Sequence, residues 1–245
     1  MRSLIAVWRL ARVFAHVLRG LLIISLRFGS LKPEQRHARV GAWSRRLLQL
    51  LGVRLEAQGQ GRPGAKLLVA NHVSWLDIAA MHAVLPEARF ISKGDVRHWP
   101  VVGRLTVGVG TLFIERASKR DALRVVHQTA EALKAGDTVA VFPEGTTGAG
   151  PELLPFHANL LQAAIAAEMP VQPVMLRWHE PQERFSSSAR FIGDTSLAQS
   201  LWRIASAKGL AVRVQVLPAQ ATAHADRRAL SEQLREQLSK ALARD

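Results

Sequence analysis

Cysteine is absent from the 245 residues, which rules out disulfides, thiolate metal sites and a cysteine nucleophile. Such a chain fits a reducing compartment. Acidic residues are scarce in the first quarter. Met1 to Lys66 carries 13 Lys and Arg against Glu34 and Glu56, so +11 of the formal net charge of +14 lies there. The N-terminal segment also lacks a long uncharged run, its longest being Gly20 to Leu26. A transmembrane helix needs about 20 apolar residues, and a secretory signal needs an unbroken apolar centre. Arg9, Arg12 and Arg19 interrupt both patterns. Neither H-E-x-x-H nor a dense His/Asp cluster occurs, so no metal is expected. There is no G-x-S-x-G elbow for a hydrolase built on Ser74.

Hydrophobic residues make up 48% of the chain and the mean hydropathy is +0.06. These values exclude a disordered tail and a polytopic membrane protein. The length suits one sizeable core with a small appendage. A strongly basic first quarter seeks phosphate, in nucleic acid or in anionic lipid. The neighbouring residues favour lipid. Arg9, Arg12, His16 and Arg19 recur at helical spacing, and Trp8, Val13, Phe14, Val17, Leu18, Leu21 and Leu22 fill the other positions. After a break at Lys32-Pro33, Gln35 to Arg54 repeats the design. There Val40, Trp43, Leu47, Leu48 and Leu51 stand against Arg36, Arg39, Arg45 and Arg46. Two such helices can lie in a headgroup layer with their arginines reaching lipid phosphate, or can pack on the protein's own core. The excess of arginine favours the membrane and argues against a nucleic-acid partner.

We therefore divide the chain into an amphipathic two-helix anchor over residues 1–57 and a domain over 58–245. The Gly/Pro-rich stretch Gln58 to Lys66 opens the second part. Beyond it, strands are expected at Lys66 to Ala70, Ala88 to Ser92, Thr111 to Ile114, Thr138 to Phe142, Val171 to Trp178 and Ala211 to Leu217. Helices are expected at Ile78 to Leu85, Arg120 to Ala135, Asn159 to Glu168, Leu197 to Lys208 and Arg227 to Ala243. In the second helix Ser118 is the candidate cap, and Leu123, Val126, Ala130 and Leu133 form the candidate buried stripe. The alternation predicts an α/β domain with a largely parallel central sheet flanked by helices. Chemistry in such sheets gathers beyond the carboxyl ends of strands. Three loops fall there: "NHVSWLD" after the first strand, the "ER" of "LFIER" after the third, and "PEGTTG" after the fourth.

His72 can act as a base near neutral pH if a carboxylate fixes its tautomer, and Asp77 is the candidate partner. Five residues of ideal helix turn through about 140°, so the two can meet only if the chain bends between them. Taken alone, H-x4-D is also the pattern of a loop histidine followed by a helix-capping aspartate. Glu144-Gly145-Thr146 form a tight turn with amides and hydroxyls suited to a polar ligand, or simply a turn. Arg116 at a strand end suits a phosphate, or a surface ion pair.

Taken in order, "NHVSWLD", "GTLFIER", "FPEGT" and "VQPV" resemble the four sequence blocks of the glycerolipid acyltransferases, in particular the 1-acylglycerol-3-phosphate acyltransferase group. "FISKGDVRHWPVVGRL" is similar to the family's connector, with Lys93, Pro100 and Gly103 in place. The resemblance spans Leu67 to Val174. It implies a membrane-associated O-acyltransferase that moves a fatty acyl group from acyl-CoA or acyl-carrier protein to a lyso-lipid hydroxyl. In that reading His72 is the general base and Asp77 orients it. Arg116 and Lys93 bind acceptor phosphate, and Glu144, Gly145 and Thr146 shape the acceptor pocket. No cofactor is implied beyond the thioester co-substrate. The implied partners are membrane lipids, and the implied location is the cytoplasmic face of a bacterial inner membrane. The chain departs from the family where arginine and serine usually follow F-P-E-G-T, since Thr147 and Gly148 stand there. His157 and Ala158 replace a usual lysine and glycine. These losses bring a phosphate-free acceptor, lyso-ornithine lipid, into view beside lysophosphatidate.

Overall fold

The computed structural model describes residues 2–114 and 119–244. Seven strands form one sheet in the order β1-β7-β6-β2-β5-β3-β4. Five run in one direction: β2 (Lys66–Ala70), β3 (Ala88–Lys93), β4 (Leu112–Ile114), β5 (Thr138–Val141) and β6 (Val171–His179). β7 (Ala211–Val216) pairs antiparallel with β6, and β1 (Arg54–Gln58) follows β7 in parallel. The largely parallel sheet is as expected.

β2 explains the layering. All five residues of Lys-Leu-Leu-Val-Ala are buried, because a central parallel strand has helices over both faces. Leu68 and Ala70 face one core, beneath α2 (Pro33–Leu51), α3 (Asp77–Val84) and α7 (Leu197–Ser206). Leu67 and Val69 face the other, beneath α5 (Lys119–Lys134), α6 (Leu161–Ala166) and α8 (Arg227–Ala243). On α5, Ala130 and Leu133 are buried as expected, but Leu123 is exposed. The candidate cap Ser118 lies outside the described residues.

β1 and α2 differ from the sequence reading. β1 lies partly within the expected anchor, and its "RLEAQ" gave no strand signal because an edge strand keeps charged and half-exposed residues. The second basic helix, α2, turns its apolar face to the protein, with Leu47, Leu48, Leu50 and Leu51 in the main core. Its C-terminus is closed by Gly52 in a left-handed conformation, φ 78°.

α1 (Arg2–Arg27) packs on α2, α7 and the short α4 (Val102–Gly108). Its polar and apolar residues are not segregated as the spacing suggested. Arg9 turns inward and donates to the carbonyls of Ala205 and Ala207 at 2.8 and 3.3 Å, at the end of α7. His16 also faces inward, stacked on Trp43 at 4.9 Å. Ala6, Val13 and Gly20 share that inner side. Leu4, Trp8, Phe14, Leu18, Leu22 and Leu26 point outward and are exposed. Ser3–Ser30 is long and apolar enough, by length and composition, to cross a membrane, although arginines interrupt it.

Candidate active site

The site forms where β2 ends. β6 is nine residues long and β2 only five. Ala70 pairs with Val174, so Met175 to His179 overhang the end of β2 and are held by β7 on their other side. Asn71 fills the open edge. Its side chain donates to the carbonyl of Leu176 at 2.8 Å and accepts from the amide of Leu176 at 2.8 Å, imitating one further ladder pair. The backbone is thereby free to leave the sheet at His72.

Between His72 and Asp77 the chain turns, and α3 begins at Asp77. Asp77 is fully buried and gathers this turn onto one carboxylate. Oδ2 accepts from the amides of Val73 at 2.7 Å and Ser74 at 2.8 Å, and lies 2.9 Å from His72 Nδ1. Oδ1 accepts from the indole N–H of Trp178 at 2.6 Å. Asp77 is thus not a helix cap, since the amides it holds precede the helix. Four N–H donors compensate the burial of its charge. An ionised carboxylate only accepts, so in the neutral imidazole this contact assigns the hydrogen to Nδ1 and the lone pair to Nε2.

His72 is 17% exposed, and its ring stacks on Phe142 at 3.9 Å with an interplanar angle of 11°. Phe142 in turn stacks on Phe90 at 5.7 Å. The imidazole therefore has one face on an apolar shelf and a hydrogen-bonded Nδ1. No hydrogen bond to Nε2 is found among the described residues.

Glu144 lies in the turn after β5, beside the His72 turn. It is buried, and its two oxygens accept from the amides of His72 at 2.7 Å and Leu154 at 2.9 Å. Burial pushes its carboxyl above the usual value, opposed by these two amides. The residue ties the β2 turn to the loop after β5, and its carboxylate is spent within the protein. Gly145 takes φ 71° in that turn, which suits glycine, while Thr146 is exposed at its tip. Gly148 donates to the carbonyl of His72 at 2.7 Å. A Cβ at Gly148 would lie 3.3 Å from Glu144 Oε2, so a larger residue would crowd the tie. The segment after β6 closes the far side: Phe191 donates to the Val73 carbonyl at 3.0 Å, and the Thr147 hydroxyl donates to the Phe191 carbonyl.

The Acyltransferase family model matches residues 54–177, from β1 into β6. A 1-acyl-sn-glycerol-3-phosphate acyltransferase of Neisseria meningitidis serogroup B is 39% identical over 219 residues, covering 87% of this chain and 84% of that relative. The chain belongs to the acyltransferase family. A lyso-ornithine lipid O-acyltransferase of Pseudomonas aeruginosa is 36% identical to this acyltransferase over 200 residues, covering 82% of the chain and 76% of the relative. The fold is shared with the solved 1-acyl-sn-glycerophosphate acyltransferase of Thermotoga maritima, at a TM-score of 0.70 and 18% identity over 96% of each chain.

Of the residues singled out in this acyltransferase, His72, Asp77 and Glu144 come together, with Gly145 and Thr146 on the adjoining turn. Lys93 ends β3 opposite Ile114 of β4, a neighbouring strand end on the same side of the sheet. Arg116 lies outside the described residues. Asn71 and Trp178 escaped the sequence reading. Asn71 was visible only as the neighbour of His72. Trp178 stands 101 residues from Asp77 in the chain, and no local pattern couples them.

Proposed function

We propose that this acyltransferase moves a fatty acyl group from a thioester donor, acyl-CoA or acyl-carrier protein, to the free hydroxyl of 1-acylglycerol-3-phosphate, giving phosphatidic acid. The observation that carries the reading is the bond from His72 Nδ1 to the buried Asp77 at 2.9 Å, which leaves Nε2 as the base. Nε2 takes the proton of the acceptor hydroxyl as its oxygen attacks the thioester carbonyl. The tetrahedral intermediate then expels the thiolate, and the imidazolium returns the proton to sulfur. An ester and a free thiol result. Attack is direct, in keeping with a chain that has no cysteine. Asp77 stabilises the transient imidazolium and fixes its orientation. Lys93 and Arg116 are the proposed ligands of acceptor phosphate.

A second acceptor has a specific observation in its favour. Where the family's arginine and serine would stand, Thr147 is bonded to the Phe191 carbonyl and Gly148 is packed against Glu144. Neither brings a cation to the site, which suits lyso-ornithine lipid. Purified protein given each lyso-lipid with labelled donor separates the two. Labelled phosphatidic acid is the expected product, and acylation of lyso-ornithine lipid alone overturns the choice of acceptor.

The reaction is proposed to occur on a bilayer surface. The outward face of α1 supports this, because Leu4, Trp8, Phe14, Leu18, Leu22 and Leu26 are exposed there. Trp99, Val101 and Val107, in and before the adjoining α4, are exposed as well. Arg12 covers the ring of Trp8 at 4.1 Å, an arrangement suited to the interface between headgroups and chains. With the inner face of α1 committed to α2 and α7, the helix is proposed to lie along the membrane. Fully burying a Leu or Phe side chain is worth about 1.5–3 kcal/mol. Phe14→Glu with Leu18→Glu is accordingly expected to lower binding to anionic vesicles at least about tenfold in a flotation assay. Unchanged flotation, or retention on DNA without flotation, contradicts the membrane reading.

A further inference from the structure

We propose that Trp178 is a positioning residue of the acyl transfer, acting on His72 through Asp77; the inference rests on the reading of His72 as the general base. The two oxygens of Asp77 are loaded unequally. Oδ2 serves the turn and the imidazole together, with three N–H groups converging on it. Oδ1 receives the indole N–H of Trp178 at 2.6 Å, a short contact for an N–H donor. An indole nitrogen donates only and has no second tautomer. It therefore supplies a fixed direction to the carboxylate, which a water or hydroxyl would not.

The fold makes that direction rigid. Trp178 is 2% exposed and belongs to the main core. It lies on the part of β6 that overhangs β2, opposite Val212 of β7. The strand pairing that extends β6 beyond the end of β2 thus carries the donor over the turn of residues 72–77. With Oδ1 held there, Asp77 cannot rotate about its terminal torsion without breaking a buried bond. The plane that points Oδ2 at Nδ1 is thereby set. When a proton arrives at Nε2, the carboxylate that must hold the imidazolium is already in place, and no reorganisation accompanies the step. The hydrogen-bonded chain Trp178, Asp77, His72 runs from the core of the sheet to the proposed acceptor hydroxyl.

Trp178→Phe keeps a large ring and deletes the donor. It is expected to lower kcat about ten- to a hundredfold, with KM for lyso-lipid and thioester nearly unchanged, the signature of a misplaced group acting in the transition state. In an Asp77→Asn background the same substitution is expected to add less than about a twofold loss, because the bond it removes has lost its charged acceptor. Purely structural damage would add its full effect in both backgrounds. As a readout independent of the variant's folding, protein labelled with 15N-tryptophan should show one strongly downfield indole proton that moves upfield in Asp77→Asn. An unchanged kcat in folded Trp178→Phe, an undiminished loss in the Asp77→Asn background, or an indole resonance indifferent to Asp77 overturns the proposal. Full activity in His72→Ala would instead defeat the general-base reading. An inert Trp178→Phe substitution beside an inactive His72→Ala would defeat this inference alone.

Discussion

His72→Ala is expected to lower kcat for acyl transfer by about 10²- to 10⁴-fold, the range that a positioned general base contributes, in a protein that is expected still to fold and to float with vesicles. The ring is part-exposed and stands outside both helix and strand. Its loss removes a stacking partner from Phe142 but leaves the His72 amide bonded to Glu144 and the His72 carbonyl bonded to Gly148. The turn therefore survives the substitution. Steady-state kinetics with the lyso-lipid in vesicles, alongside flotation of the same variant, check both halves. Turnover at the wild-type rate would remove His72 from the chemistry.

Asp77→Asn is expected to produce a loss of comparable size for a different reason. Four N–H groups face the carboxylate, and an amide can offer only one oxygen to them. Its NH2 must then point at a donor, at either the indole or the imidazole side. If it faces His72, the imidazole keeps its bond only by moving its hydrogen to Nε2, and the lone pair proposed to take the acceptor proton disappears. The expected fall in kcat is about 10²- to 10⁴-fold, with stability reduced as well, since each buried donor left without a partner costs about 1–3 kcal/mol. Asp77→Ala orphans all of these donors, so the asparagine variant separates catalysis from folding better. Kinetics at fixed pH, with thermal unfolding as the control, measure it. A kcat within a few fold of wild type would mean that the carboxylate only shapes the turn.

The central strands and the helices after them were legible because burial on both faces writes itself into sequence as short apolar runs such as "LLVA" and "TVAV". The contact of His72 with Asp77 was legible as a condition: five residues apart, they could meet only across a bend, and the structure has that bend. Glu144 was harder. Glycine and threonine beside it mark a turn, but nothing local says that its carboxylate points back into the protein to hold the His72 and Leu154 amides. Trp178 was not legible, because its role depends on β6 outrunning β2, a property of strand register. The faces of α1 were misjudged for a related reason. Helical spacing groups residues into sides but does not say which side meets the protein, and Arg9 and His16 find carbonyl partners only because α7 and α2 end or pass beside them. β1 was hidden by its place at the sheet edge.

The overhang of β6, completed by Asn71, releases the chain from the sheet at His72; Asp77 folds the released segment; Glu144 ties it to the next loop. The result is an imidazole whose Nδ1 is held by Asp77 and whose ring rests on Phe142.

The fate of a labelled acyl chain during a single turnover tests this account most directly. Purified protein is mixed with acyl-labelled thioester and lysophosphatidate in vesicles, then quenched in acid and separated into lipid and protein. The account predicts that the label passes to phosphatidic acid at the rate of thiol release, with none on the protein, and that His72→Ala abolishes both signals together. Label held covalently by the protein, or product formed equally well without His72, would contradict it.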